Sequence, residues 1–324
     1  MPQPPNRERR WCVVCSLLLV VICQACAHPG HGRDLRQAED LPESIVLDTV
    51  PFFPQEAYQC GPAAMAMVLG WSGLSVEPDD LVEEIYTPGR KGSLQPSLVA
   101  AARRRGRLAH AITGPQALLS ELAAGHPVIV LQNLGTRSYP AWHYAVTIGM
   151  DRPASRILLH TGTTARRPTA WSRFLFTWER GRYWGLVVLP AGRMPPSADA
   201  KAYLEAVLGL EHARQWAAAA RAYAAALDRW PDNQQALIGL GNCRITQGDL
   251  ASAETVLRKA ITLAPYNSDA ANNLAHVLTR LGKLEEALYW SRRAVQNGGG
   301  NLPVYRQTLQ EIEDLRQCRD RKKP

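Results

Sequence analysis

The sequence predicts an α+β domain followed by an all-α superhelix of helical repeats, and three observations carry that prediction. Between residues 45 and 190, short apolar runs bounded by turn residues accompany one alanine-rich, helix-compatible segment. This is the pattern of consecutive antiparallel strands with a helix packed against them. Beyond residue 198 the strand signals stop, and Pro231 and Pro265 stand 34 residues apart, a spacing that suits stacked helix–turn–helix units. The chain has 324 residues, of which 46 % are apolar and 20 % charged. It is too long for one ordinary domain and apolar enough to bury its cores without disulfide staples.

Charge and hydropathy exclude two classes. Lys and Arg outnumber Asp and Glu by 37 to 29, a net charge of +8. Removing residues 1–25, with Arg7, Arg9 and Arg10 against Glu8, would leave about +6. That mild, scattered excess gives no nucleic-acid footprint. No apolar run reaches the roughly 20 residues needed to span a bilayer, which excludes a polytopic membrane protein.

Residues 1–26 read as an export signal. Met1–Arg10 is polar and basic, Trp11–Cys23 is apolar, and the small residues Ala25, Cys26 and Ala27 follow. Cleavage before Cys26 would make it the lipid-bearing residue of a lipoprotein, anchored to the membrane by its acyl chains. Cleavage after Ala27, at Ala25-Cys26-Ala27, would instead release a soluble periplasmic protein. The first is preferred because export signals seldom end in a bare cysteine. Residues 27–44 then form a polar tether, and His28 and His31 within it read as solvated linker positions.

The first domain spans residues 45–191. Ile45-Val46-Leu47 opens it, and Gln55 through Leu69 leads to Cys60-Gly61-Pro62-Ala63-Ala64. Pro62 suits a first helical turn, so Cys60 sits at a helix start, where the dipole favours a thiolate. Val128–Leu131, Trp142–Gly149, Ile157–His160 and Tyr183–Leu189 read as strands, with His143 near the start of the second. A thiol and an imidazole meeting across such a cleft form the activated pair of cysteine hydrolases.

Gln55–Leu69, with its Gln-Cys-Gly-Pro-Ala-Ala core, resembles the nucleophile helix of the papain-like double-glycine leader peptidases that trim bacteriocin precursors. Trp142-His143-Tyr144-Ala145-Val146, followed by Gly149-Met150-Asp151, resembles that family's histidine strand. The likeness covers roughly residues 45–190 and points to exported members without a transporter. It implies Cys60 as nucleophile, His143 as general base and acid, and Gln55 as amide donor to the oxyanion, with Gln59 as the substitute. Gln55 stands five residues before the cysteine, where the transporter-linked members commonly use six. The family orients its histidine with an Asp or Asn on the next strand. Here Leu158-Leu159-His160-Thr161-Gly162 has no carboxylate, so His160 is taken as the orienter and Thr161 as its alternative, while Asp151 reads as a hairpin-turn residue. The resemblance implies no cofactor and no metal. Residues 88–95 are expected as a mobile loop beside the cleft or as a plain connection.

After a linker at 192–198, residues 199–301 resemble about three tetratricopeptide repeats, strongest in the unit holding Leu237, Leu240, Gly241, Gly248, Ala253, Leu257, Ala260 and Pro265. Residues 302–324 read as a capping helix and basic tail. A concave face of this kind takes a peptide or protein partner, with Asn242, Asn272 and Asn273 as polar candidates. Cys243 is expected buried and Cys318 exposed. The expectation is an exported, lipid-anchored Cys–His peptidase whose repeats recruit a protein partner or substrate. A catalytically inactive envelope scaffold is the alternative, and an acyl-thioester transferase a third reading.

Overall fold

The computed structural model describes residues 35–38, 40–55 and 59–321, which belong to one compact unit. The signal segment, Cys26, and the part of the tether that holds His28 and His31 lie outside the described residues. No helix among the described residues is long and apolar enough to cross a membrane.

The first part is α+β. Strand β1 (Ser44–Val46) precedes helix α1 (Cys60–Trp71), then α2 (Asp79–Ile85), a small hairpin of β2 (Tyr86–Thr87) and β3 (Gly92–Ser93), and α3 (Gln95–Arg104). Next come β4 (Arg107–Thr113), α4 (Pro115–Ala123), β5 (Val128–Asn133), β6 (Trp142–Asp151), β7 (Arg156–Thr161), β8 (Thr164–Ala170), α5 (Trp171–Glu179) and β9 (Trp184–Pro190). The seven-stranded sheet runs β4-β9-β5-β6-β7-β8, and β1 joins β6 beyond the end of β5. Every pairing is antiparallel. At that junction an added Cβ on Gly149 would lie 2.1 Å from the Ile45 carbonyl oxygen, so only glycine admits β1 there.

Helix α1 is buried from Gly61 to Leu69. A helix without a polar face belongs inside a core. It lies on one face of the sheet, against Ile129, Val146, Ile148, Leu186 and Val188. The intervening Val128, Val130 and Val187 face the opposite side, with Leu118, Phe174 and Trp178. The two-residue period of a strand thus puts an apolar side chain on both faces, as a covered sheet requires. Residues 88–95 form a 3₁₀ turn and the β3 arm of the small hairpin. Ser93 there packs on α1 at Gly61, where an added Cβ would meet its hydroxyl at 2.2 Å.

The second part is a row of helix pairs: α6 (Ala200–His212) with α7 (Trp216–Arg229), α8 (Gln234–Gln247) with α9 (Leu250–Leu263), α10 (Ser268–Arg280) with α11 (Leu284–Asn297), then α12 (Leu302–Arg321). Asp199, Asn233 and Asn267, at the 34-residue spacing, each cap a first helix by accepting the N–H of Ala202, Ala236 and Ala270. Small residues set the closeness of packing, and the Tyr223 ring sits where a Cβ on Gly239 would come within 2.3 Å.

Sequence reading separates the two parts by a Gly/Pro segment, but their interiors join. Tyr203, Leu204, Val207 and Leu210 of α6 share one core with Leu108, Ile112, Val187 and Leu189 of the sheet. The segment between them is pinned as well. The Ser197 N–H donates to Glu121 Oε1 at 2.9 Å, and Glu121 Oε2 meets His126 Nδ1 at 2.6 Å, both side chains being buried. Gln215 Nε2 donates to the Arg104 carbonyl at 3.0 Å.

Candidate active site

The site forms where the sheet leaves a backbone unpaired. β6 runs beside β5 from Trp142 to Thr147, whereas its pairing with β7 begins only at Val146 opposite His160. The Tyr144 peptide groups on the β7 side are therefore beyond that ladder, and buried backbone groups need partners. Gln55 Nε2 donates to the Tyr144 carbonyl at 3.1 Å. Gln55 Oε1 accepts the Gly162 N–H at 2.8 Å, and the Gln55 N–H donates to the Gly162 carbonyl at 2.9 Å. A backbone N–H can only donate, so Gly162 fixes which end of the amide is oxygen and directs the NH₂ toward Tyr144. Tyr144 takes one amide hydrogen of the two.

Cys60 is the first residue of α1 and is partly exposed. Burial pushes its thiol above the ordinary value, outweighing backbone hydrogen bonds from Tyr144, Gly61 and Cys60 itself, which favour the thiolate. The helix start therefore does not by itself yield the thiolate that the sequence suggests. One backbone, that of Tyr144, touches both the cysteine sulfur and the Gln55 amide, and its neighbour in sequence is His143. The Tyr144 hydroxyl donates to the Ser93 carbonyl at 3.2 Å, tying the small hairpin to the same place.

His143 Nε2 lies 2.7 Å from Thr161 Oγ1. Burial, with the Arg167 charge nearby, holds the imidazole below its ordinary value, so it is neutral at pH 7. In the tautomer whose Nε2–H donates to Thr161, Nδ1 keeps a lone pair able to accept a proton.

The expectation of His160 as orienter is corrected here. Its Nε2 is 3.2 Å from the Val50 carbonyl and its Nδ1 accepts the Arg166 N–H at 3.1 Å, so both nitrogens are committed away from His143. Thr161, the alternative, is the residue whose hydroxyl meets the His143 ring. The β7–β8 register shifts between Leu159 and Thr161, and a bulge re-aims the side chains around it. Asp151 ends β6, and its carboxylate accepts the Ala154 N–H of the turn that follows at 2.9 Å. Tyr144 and Gly162 act through backbone groups, which no residue type announces in a sequence.

Other candidates lie apart. Asn273 Nδ2 donates to Asn242 Oδ1 at 2.7 Å across two repeats, and Asn272 is buried. Cys243 is buried, with its thiol pushed up to about 12, and Cys318 is exposed; both are free. Among the described residues no group of three or more His, Cys, Asp or Glu is arranged to hold a metal ion.

Residues 47–180 match the Peptidase C39 like family. Residues 204–268 and 256–289 match tetratricopeptide repeat families. No curated protein matches the chain. Among solved structures, a provisionally assigned C39-like peptidase from Bacillus anthracis is 19 % identical, covering 46 % of this chain and 98 % of that one at a TM-score of 0.39. The first TPR of Spaghetti (RPAP3), bound to an HSP90 peptide, is 20 % identical and covers 36 % of this chain and 91 % of that one, with a TM-score of 0.34. The TPR2B domain of yeast Sti1, in complex with pHsp70, is 16 % identical and covers 36 % of this chain and 97 % of that one, again at 0.34.

Proposed function

With a C39-like peptidase domain followed by tetratricopeptide repeats as the premise, we propose that this protein is an exported, lipid-anchored cysteine peptidase that cleaves peptide bonds. Its repeats recruit a protein partner or the substrate itself. The observation that supports this reading is the shared Tyr144 backbone, which gathers the Cys60 sulfur, the Gln55 amide and the strand bearing His143.

The chemistry is acyl transfer. Cys60 attacks the scissile carbonyl as its proton passes to His143, and the new oxyanion is held by the second Gln55 N–H and the Cys60 backbone N–H. Such a donor is typically worth about 2.7–4 kcal/mol. His143 then protonates the leaving amine, and water, activated by the same imidazole, hydrolyses the thioester. Because burial keeps Cys60 a thiol and His143 neutral, proton transfer accompanies attack in place of a preformed ion pair. Thr161 orients the ring without supplying the charge a carboxylate would. Export and the anchor rest on the signal pattern and on Ala25-Cys26. Labelled palmitate appearing in the protein, and lost in Cys26→Ser, tests the anchor.

A second reading, a peptide-binding envelope scaffold without catalysis, is favoured by the lack, among the described residues, of a carboxylate acting on His143. One experiment separates the two. The full protein is incubated with a proteome-derived peptide library, and new termini are read by mass spectrometry. Termini that vanish in Cys60→Ala support the peptidase. Peptides that bind wild type and Cys60→Ala equally, uncut by either, leave the scaffold.

A further inference from the structure

An open cavity of about 600 Å³ lies where α3 of the sheet part meets α6 of the repeats. That is within the usual size range of small-ligand sites. Pro96, Val99 and Trp184 give it an apolar wall, while Arg103 brings a guanidinium and His212 an imidazole to it. The Arg103 guanidinium lies flat on α6 at Gly209, where an added Cβ would come within 2.2 Å of Cζ. Its Nε is buried and has no hydrogen-bond partner. The nearby carboxylate on α2, Glu84, is already committed: it pairs with Arg104 at 2.6 Å and Arg105 at 2.8 Å, and those two guanidiniums hold it down at about 2. No carboxylate of the described residues pairs with Arg103. Burial alone acts on its guanidinium, pushing it below the ordinary value. Arg103 is half-buried as a whole, but a guanidinium with a buried, unpartnered N–H and no counter-charge is one that an incoming anion would satisfy.

We propose that this cavity binds the C-terminal carboxylate of a short peptide ending in an apolar residue. The carboxylate lies against Arg103, and the last side chain lies on Trp184, Val99 and Pro96. A guanidinium matches a carboxylate with paired, charge-assisted hydrogen bonds, and an apolar wall beside it selects the residue that carries the carboxylate. The site differs from the concave repeat face, because seven of its ten lining residues come from the sheet part. It does not depend on Cys60 being catalytic.

The test is calorimetry on the full protein carrying Cys60→Ala, so that nothing is turned over. The probes are acetyl-Ala-Leu with a free carboxylate and the same peptide as its C-terminal amide. The acid is expected to bind at least about tenfold more tightly, as befits a hydrogen bond to a charged group. Arg103→Met removes that preference and Arg104→Met keeps it. Should Arg103→Met fail to fold, Gly209→Ala decides: it suits the helix but displaces the guanidinium, so it also loses the preference. Equal binding of acid and amide, or a preference that survives both substitutions, overturns the proposal. The same Ala-Leu end on a folded carrier separates two sources: binding of the free peptide alone marks a site for released fragments, and equal binding marks one for a partner's tail.

Discussion

The two halves of the molecule bury polar groups very differently. Among the described residues, ten buried polar or charged side chains precede residue 191, including Gln55, Glu121, His126, His160 and Thr161, whereas only Asn272 and Ser291 follow it. The repeats are filled almost wholly by alanine, leucine and a few rings, and their polar residues serve as caps at helix ends. Each buried polar group costs free energy unless it is bonded. The half that carries so many has most of them in specific bonds, among them Gln55 and Thr161 at the candidate site and the Glu121–His126 pair at the seam with the repeats. Polar deletions should therefore dominate in the sheet half, and changes of volume in the repeats.

The largest effect expected is at His143. His143→Ala should lower the proposed cleavage by about 10²–10⁴-fold, the usual weight of a general base. Because burial holds its ring below the ordinary value, the imidazole stays neutral well into mild acid. The acid limb of kcat/KM should thus fall below about pH 6.5, the unperturbed histidine value. The alkylation rate of Cys60 should rise with pH to a midpoint above that of a free thiol, since burial raises its thiol. A rate already level below pH 7 would show a preformed ion pair and break this account of the site. Next comes Glu121→Ala, which strips the acceptor from His126 and from the Ser197 N–H. A loss of about 2–4 kcal/mol is expected in urea unfolding, in a single transition because the core is continuous. Two separated transitions would deny that the halves share it.

On the repeat side, Gly239→Ala adds one methyl group where the Tyr223 ring already lies. It should cost about 1–3 kcal/mol by overpacking, although alanine is the better helix former; a rise in Tm would contradict the close packing described. Asn267→Ala should have the smallest effect, about 1 kcal/mol from a lost cap, leaving peptide cleavage unchanged in the same preparation.

Much of this architecture is legible in the sequence, for identifiable reasons. Pro62 and the unbroken apolar run after it mark α1, and the spacing of Pro231 and Pro265 marks the array. Cys60, His143 and Gln55 are singled out by a motif, and the structure sets the Gln55 amide and the Cys60 sulfur against the backbone of Tyr144, next to His143. What is hidden depends on register. The choice between His160 and Thr161 turns on a shift at the end of β7, and alternation along a strand cannot be counted through a bulge. The shared core is hidden for another reason. The Gly/Pro segment at 192–198 looks like a flexible spacer, and nothing in the apolar stripe of α6 says that it rests on β4 and β9 instead of on another helix.

That shared core makes the molecule a fixed ruler. With α6 seated on the sheet and Ser197 fastened to Glu121, whatever the repeats hold is held at a set distance and angle from Cys60. Reach is then decided by the number of stacked pairs and not by the slack of a tether. Adding or removing one pair would move the held end by a whole repeat, in steps rather than gradually.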